Sequence, residues 1–161
     1  WVEVANRDFE SRLRWCVAGK YEDANHKPVI AIPGGLEKTV KSGETVTLNA
    51  DITEPDSLDI DGIWAKYSAL YEQLGFNKES FVEIAPQRYP KYNAYWWQYK
   101  EAGTYNGYID IVAVDSGKST FVAPKVDKPE TLHLILEVTD TGIPALTTFA
   151  RVIVTIFPTD K

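Results

Sequence analysis

Leu132-His133-Leu134-Ile135-Leu136-Glu137-Val138 decides the fold. In an extended chain Leu132, Leu134, Leu136 and Val138 share one face, while His133, Ile135 and Glu137 share the other. Thr147 to Phe157 repeats the pattern with Val152, Val154 and Ile156 in register, in a stretch rich in β-branched and aromatic residues. Asp140-Thr141-Gly142-Ile143-Pro144 separates the two runs as a hairpin-like loop. Further back, Thr45 to Ala50 alternates after the turn Lys41-Ser42-Gly43-Glu44. Val29 to Ile32 is a short apolar strand that stops at Pro33-Gly34-Gly35. Short alternating strands with regular turns predict a mainly β fold from Pro28 onward, an antiparallel β-sandwich over 28–161.

Two segments leave this rhythm. Ile63, Trp64, Tyr67, Leu70, Tyr71 and Leu74 fall at helical spacing, so a helix inserted over about 60–75 is expected, with Asp61 as cap and Gly75 as terminator. At the front, Phe9, Leu13, Cys16 and Val17 form one apolar stripe of an N-terminal helix, started by Asn6 or Asp8 and ended at Gly19. Tyr21 to Pro28 is polar, closes on a proline and reads as a linker. A single amphipathic helix is marginal alone, so 1–27 is expected to be the tail of a preceding domain plus linker. The chain opens on Trp1 and contains no methionine, which is read as an excised or processed end, with any signal peptide removed or upstream.

The 161 residues suit one domain, or one domain and a fragment of another, and 44% apolar content is enough for a core. No apolar run approaches the roughly 18 residues that span a bilayer, so membrane insertion is not expected. The net charge is −6, and the densest cations, Arg7, Arg12 and Arg14, are diluted by Asp8 and Glu10. Nucleic-acid binding needs clustered cations for counter-ion release, so that partner class is excluded, as are anionic membrane surfaces. Cys16 is the single cysteine, which rules out an internal disulfide. Its neighbours Trp15 and Val17 point to a packed thiol.

Candidate chemistry is sparse. Asp56, Asp59, Asp61 and Gly62 resemble part of a calcium loop, but an EF-hand register on Asp59 and Asp61 puts Ser68 where the bidentate glutamate belongs. A sandwich-edge calcium site from Asp51, Asp56 and Asp140 competes with plain acidic turns and helix caps; no metal or other cofactor is assigned. The two histidines, His26 and His133, lie in the linker and among leucines. No nucleophile elbow, zinc-protease motif or phosphate loop occurs. Glu72, Glu79 and Glu83 read as a solvated surface, so catalysis within the chain is not expected.

The remaining feature is aromatic. Tyr89, Tyr92, Tyr95, Trp96, Trp97, Tyr99, Tyr105 and Tyr108 crowd into twenty positions. On a strand, Tyr95, Trp97 and Tyr99 take one face, and Ala94, Trp96 and Gln98 the other. Immunoglobulin-like sandwiches bury one tryptophan on a central strand, and Trp97 is assigned to that role. Trp96 is then expected outward beside Gln98 and near Arg88. An exposed ring with adjacent hydrogen-bonding groups suits a sugar, whose C–H face stacks while its hydroxyls are satisfied. The competing reading has Trp96 covered by the inserted helix or a neighbouring domain.

Trp96-Trp97-Gln98-Tyr99 with Glu101-Ala102-Gly103-Thr104-Tyr105, then Thr120-Phe121-Val122-Ala123-Pro124, then Leu136-Glu137-Val138-Thr139-Asp140 form an ordered set of motifs. They resemble the C-terminal immunoglobulin-like domain of the bacterial cellulose-binding proteins, which carry a nucleoside-hydrolase-like domain in front. Asp8-Phe9 to Trp15-Cys16 and Ala24 to Pro28 are similar to the end of that front domain and its linker, while 56–92 looks like an insertion. The resemblance implies a non-catalytic accessory module of a secreted protein, periplasmic or extracellular, with polysaccharide and the upstream hydrolase-like domain as partners. No residue here matches that front domain's aspartate cluster. Two roles follow: polysaccharide binding through exposed aromatics led by Trp96, or structural support of the upstream domain.

Overall fold

A computed structural model describes residues 1–56 and 60–159, with the side chains of 87 and 88 outside the description. The chain is mainly β, with three α-helices among the described residues, and it divides into two compact units. The strand unit comprises Pro28–Thr53, Ala94–Thr139 and Thr147–Lys161; the helical unit comprises Trp1–Lys27, Glu54–Asn93 and Asp140–Leu146.

In the strand unit the alternation becomes sheet. β1 (Val29–Ala31) pairs antiparallel with β4 (Asp51–Thr53). β2 (Glu37–Lys41), β5 (Tyr92–Gln98), β8 (Glu130–Asp140) and β9 (Thr147–Phe157) form a four-stranded sheet in the order β2-β9-β8-β5. β3 (Thr45–Asn49), β6 (Val112–Ala113) and β7 (Lys118–Val122) form an antiparallel sheet in the order β3-β7-β6. Each sheet seals one face. Leu132, Leu134, Leu136, Val138, Val152, Val154 and Ile156 are buried on the first, and Val46, Leu48 and Phe121 on the second. Each such side chain stabilises the fold by about 1.5–3 kcal/mol relative to exposure. One pair departs from expectation: β2 runs parallel to β9, with Glu37 opposite Ile153 and Lys41 opposite Phe157. Alternation reports which face of a strand is covered and is silent on the direction of a neighbour far away in sequence.

Two close approaches hold the strand unit. The turn expected at Lys41–Glu44 has Gly43 at φ +86°, and its N–H reaches Ala123 O at 2.8 Å. Gly117 O accepts Ala50 N at 3.0 Å, and a Cβ on Gly117 would lie 2.4 Å from Ala50 O, so only glycine fits.

In the helical unit α1 (Val2–Val17) starts earlier than expected, which puts Asn6 and Asp8 inside it, and it ends in extended backbone at Ala18 with no left-handed glycine. Ion pairs Asp8–Arg12 at 2.9 Å and Glu10–Arg14 at 2.8 Å line its surface at i, i+4. The inserted helix is two helices, α2 (Ile60–Gln73) and α3 (Lys78–Arg88). Asn77 and Ser80 form a capping box that starts α3, and Gly75 sits at φ +85° after α2 as expected. Asp61 lies in the first turn of α2 and pairs with Lys78 at 2.8 Å. Tyr71, Phe81 and Ala85 are buried with Ile63, Trp64 and Tyr89 packed around them. The Tyr71 and Tyr89 hydroxyls meet at 2.6 Å, which satisfies both polar ends of this aromatic core.

Within the helical unit α1 turns the face of Ser11 and Trp15 inward and leaves its apolar stripe outward. Ser11 is buried and donates to Asn25 O at 3.2 Å, and Trp15 Nε1 donates to the same oxygen at 2.8 Å. Phe9, Leu13 and Val17 are left 64%, 55% and 85% exposed, and Cys16 is exposed rather than packed. The expectation of a packed thiol is thus corrected, because the inward face is set by the Asn25 carbonyl oxygen, which draws the donors Ser11 and Trp15.

Candidate functional site

β5 and the strands beside it set which aromatic rings are sealed and which face outward. Trp96 is only 7% exposed, and its Nε1 donates to Gly117 O at 3.2 Å. That bond ties the four-stranded sheet to the residue just before β7, so Trp96 pins the two layers together. Trp97 sits on the opposite side and is half-buried. The expectation of Trp97 in the core and Trp96 outward is therefore inverted, because in a strand one position decides the face and both candidates are tryptophan.

Gln98 shares the Trp96 face and is engaged. Its Nε2 donates to Gly107 O at 3.0 Å, and its Oε1 accepts Ile109 N at 3.2 Å. Both ends of the amide hold the loop after β5, which removes Gln98 as a free sugar ligand. The Arg88 side chain lies outside the described residues, as does Asp59. Of the residues assigned to sugar contact, Trp96 and Gln98 are thus not displayed as open contacts.

The outward face is built by register. Tyr99 N donates to His133 O at 2.8 Å, and the Glu137 carboxylate acts on the Tyr95 phenol, so β5 and β8 run antiparallel with Trp97 alongside Ile135. β9 continues the rows, with Phe149 opposite Glu137, Arg151 opposite Ile135 and Ile153 opposite His133. The result is a surface with aromatic rings on β5, the buried Ile135 between His133 and Glu137 on β8, and Arg151 between Phe149 and Ile153 on β9. Tyr95 is 53% exposed, Arg151 is exposed, and the Trp97 and Tyr99 rings lie 5.9 Å apart at an interplanar angle of 66°. At the far edge a shallow groove of about 480 Å3 is lined by Ile30, Leu36, Glu37, Phe149, Arg151 and Ile153.

Burial shapes the charges here. His133 is held below the ordinary imidazole range, chiefly by burial and secondarily by Arg151, so it is neutral at pH 7. Its Nδ1 is buried without a hydrogen-bond partner among the described residues. Burial, then the Glu137 carboxylate, raises the Tyr95 phenol. The surface therefore offers Glu137 and Arg151 as charged groups beside neutral rings.

The acidic residues considered for calcium have other work. Asp140 is buried, and its carboxylate accepts Gly142 N at 3.0 Å, Leu146 N at 2.9 Å and Asn25 Nδ2 at 2.9 Å. Asp56 accepts the His26 backbone N–H and faces His26 Nδ1 at 3.0 Å. Asp51 is exposed on β4. Among the described residues no group of three or more His, Cys, Asp or Glu is gathered to hold a metal ion. No described helix is long and apolar enough to cross a membrane.

Residues 90–156, which carry β5 to β9, match the family model described as cellulose-binding protein Sde0182, C-terminal domain. The resemblance read from the motifs holds over this segment. Among solved structures, the chain is similar to a nucleoside hydrolase-related hypothetical protein from Saccharophagus degradans, described as associated with carbohydrate metabolism. The likeness has a TM-score of 0.71 at 22% identity and covers 97% of this chain and 32% of that one. The chain thus spans about a third of that protein's length, and the likeness concerns the fold. Weaker likenesses fall to a 2,6-sialyltransferase from Vibrionaceae Photobacterium sp. JT-ISH-224 (TM-score 0.38, 13% identity, 76% of this chain and 17% of that one) and to mouse clustered PcdhgC3 EC1-3 (0.33, 14%, 83% and 34%). Neither carries an argument. A comparison with curated proteins finds no match.

Proposed function

We propose that this chain is a non-catalytic accessory module that binds polysaccharide on the outward face of β5, β8 and β9, within a longer nucleoside-hydrolase-like protein outside the cytoplasm. One observation carries the reading. The segment matching a cellulose-binding family also carries an outward row of Tyr95, Trp97 and Tyr99 beside Glu137 and Arg151. A sugar ring stacks its C–H face on an aromatic ring while nearby charged and hydroxyl groups take its hydroxyls. Trp97 replaces Trp96 as the lead contact, because a sealed ring cannot stack on a ligand. Affinity electrophoresis through gels containing soluble glucans tests this. Wild-type chain is retarded, and Trp97→Ala runs free while keeping its circular dichroism spectrum; migration unchanged by every polysaccharide in the panel removes the proposal.

A second reading, support of an upstream hydrolase-like domain, is favoured by the exposed Phe9, Leu13 and Val17 on α1. An apolar stripe of this kind commonly marks a contact surface. Replacing Phe9 and Leu13 by serine in the full-length protein would then lower that domain's thermal stability, and an unchanged transition discards the idea.

A further inference from the structure

We infer that the ligand of this face is a single hydrated glycan chain, in amorphous or soluble polysaccharide, and not the flat surface of crystalline cellulose. The inference rests on the binding reading above and adds the physical state of the ligand. A crystal face is planar over many chains, so every ring that stacks on it must lie parallel to one plane. The Trp97 and Tyr99 rings are inclined by 66° with centroids 5.9 Å apart. Only one of them can lie flat on a plane; the other then meets it edge-on and loses the stacking contact. A separate chain has no such restriction. Successive sugar units can rotate about their linkage, so one unit stacks on Trp97 while its neighbour meets the tilted Tyr99 ring.

The surroundings agree with this. Glu137 stands beside Tyr95, and the exposed Arg151 lies on β9 in the row of Trp97 and Ile135. Charged groups standing beside the rings suit hydroxyls at the rim of an isolated chain. The edges of chains packed in a crystal are engaged with one another and are not offered to such groups. The shallow groove beyond Arg151 and Phe149 extends the same face, giving an extended chain room to continue.

The test compares retention of the intact chain on phosphoric-acid-swollen cellulose, soluble mixed-linkage β-glucan and microcrystalline cellulose, normalised to accessible area. Retention on the first two is expected to exceed that on the crystalline material by about tenfold or more, the equivalent of one lost stacking contact. Trp97→Ala and Tyr99→Ala should each lower binding to the swollen and soluble glycans, with folding checked by circular dichroism and thermal melting. If Trp97→Ala fails to fold, Tyr99→Ala alone decides. Equal or stronger retention on microcrystalline cellulose overturns this inference and leaves polysaccharide binding standing. Absence of retention on all three materials removes both.

Discussion

In the strand unit the buried side chains are largely aliphatic and come from alternate positions of β3, β8 and β9. In the helical unit they are aromatic rings and hydrogen-bonded polar groups drawn from three separated segments. The first arrangement tolerates little ambiguity, since every second residue is either sealed or wet. The second depends on groups such as Asn25, Asp56 and Asp140 finding one another over long sequence distances. The comparison teaches where function has room. The strand unit seals one face of its larger sheet throughout, and on the other it buries Ile135 but keeps Tyr95 and Arg151 exposed, with Trp97 and Tyr99 half-buried beside them. The helical unit leaves free one side of α1, not a decorated sheet.

The largest effect that would sharpen this contrast is Trp96→Ala. It removes a buried ring and the bond to Gly117 O, at a cost of about 3–5 kcal/mol in urea unfolding. If Trp96→Ala is as stable as wild type, the ring is not a pin between layers. Next comes Asn25→Ala in the helical unit. Asn25 Nδ2 serves both Asp140 and Pro144 O at 2.9 Å, so its loss leaves buried acceptors short and should cost about 1–3 kcal/mol. An unchanged urea midpoint would mean that this polar cluster does not hold the helical unit.

The smallest effect is a pH dependence that differs between the units. His133 in the strand unit has a depressed pKa, so the unfolded chain takes up the proton more readily. Its contribution is therefore intact above the ordinary imidazole value of 6.5 and declines as pH falls through it toward the lower folded value. Glu54 and Asp140 in the helical unit are raised, both chiefly by burial, so their folded forms hold protons more tightly. Their penalty grows as pH rises from the ordinary values of 4.5 and 3.8 through the raised ones. His133→Gln should therefore lose less stability than wild type between pH 7 and pH 5.5. Identical slopes in urea midpoint against pH would show that His133 is not linked to folding.

Much of the strand unit was legible because its physics is local. The leucines of β8, the valines of β9 and the turn at Gly43 stand where alternation and turn chemistry placed them. The parallel pairing of β2 was not legible, since nothing within Glu37–Lys41 encodes its neighbour's direction. α3 escaped because Pro86 interrupts its pattern, although Asn77 and Ser80, three apart, carried a capping signal. The exposed stripe of α1 was visible, but its inward face follows from the carbonyl of Asn25, ten residues or more away. The candidate site was half legible. The aromatic strand was evident, yet choosing between Trp96 and Trp97 required the β5–β8 register, and Gln98 required the loop it holds.

The most direct measurement is a heteronuclear NMR titration of the chain with a soluble β-glucan oligosaccharide, following the five tryptophan indole N–H signals. The account predicts saturable shifts of the Trp97 indole and of the Tyr99 and Arg151 amides, with Trp96 little moved. Shifts confined to other residues, or none at saturating oligosaccharide, would contradict it.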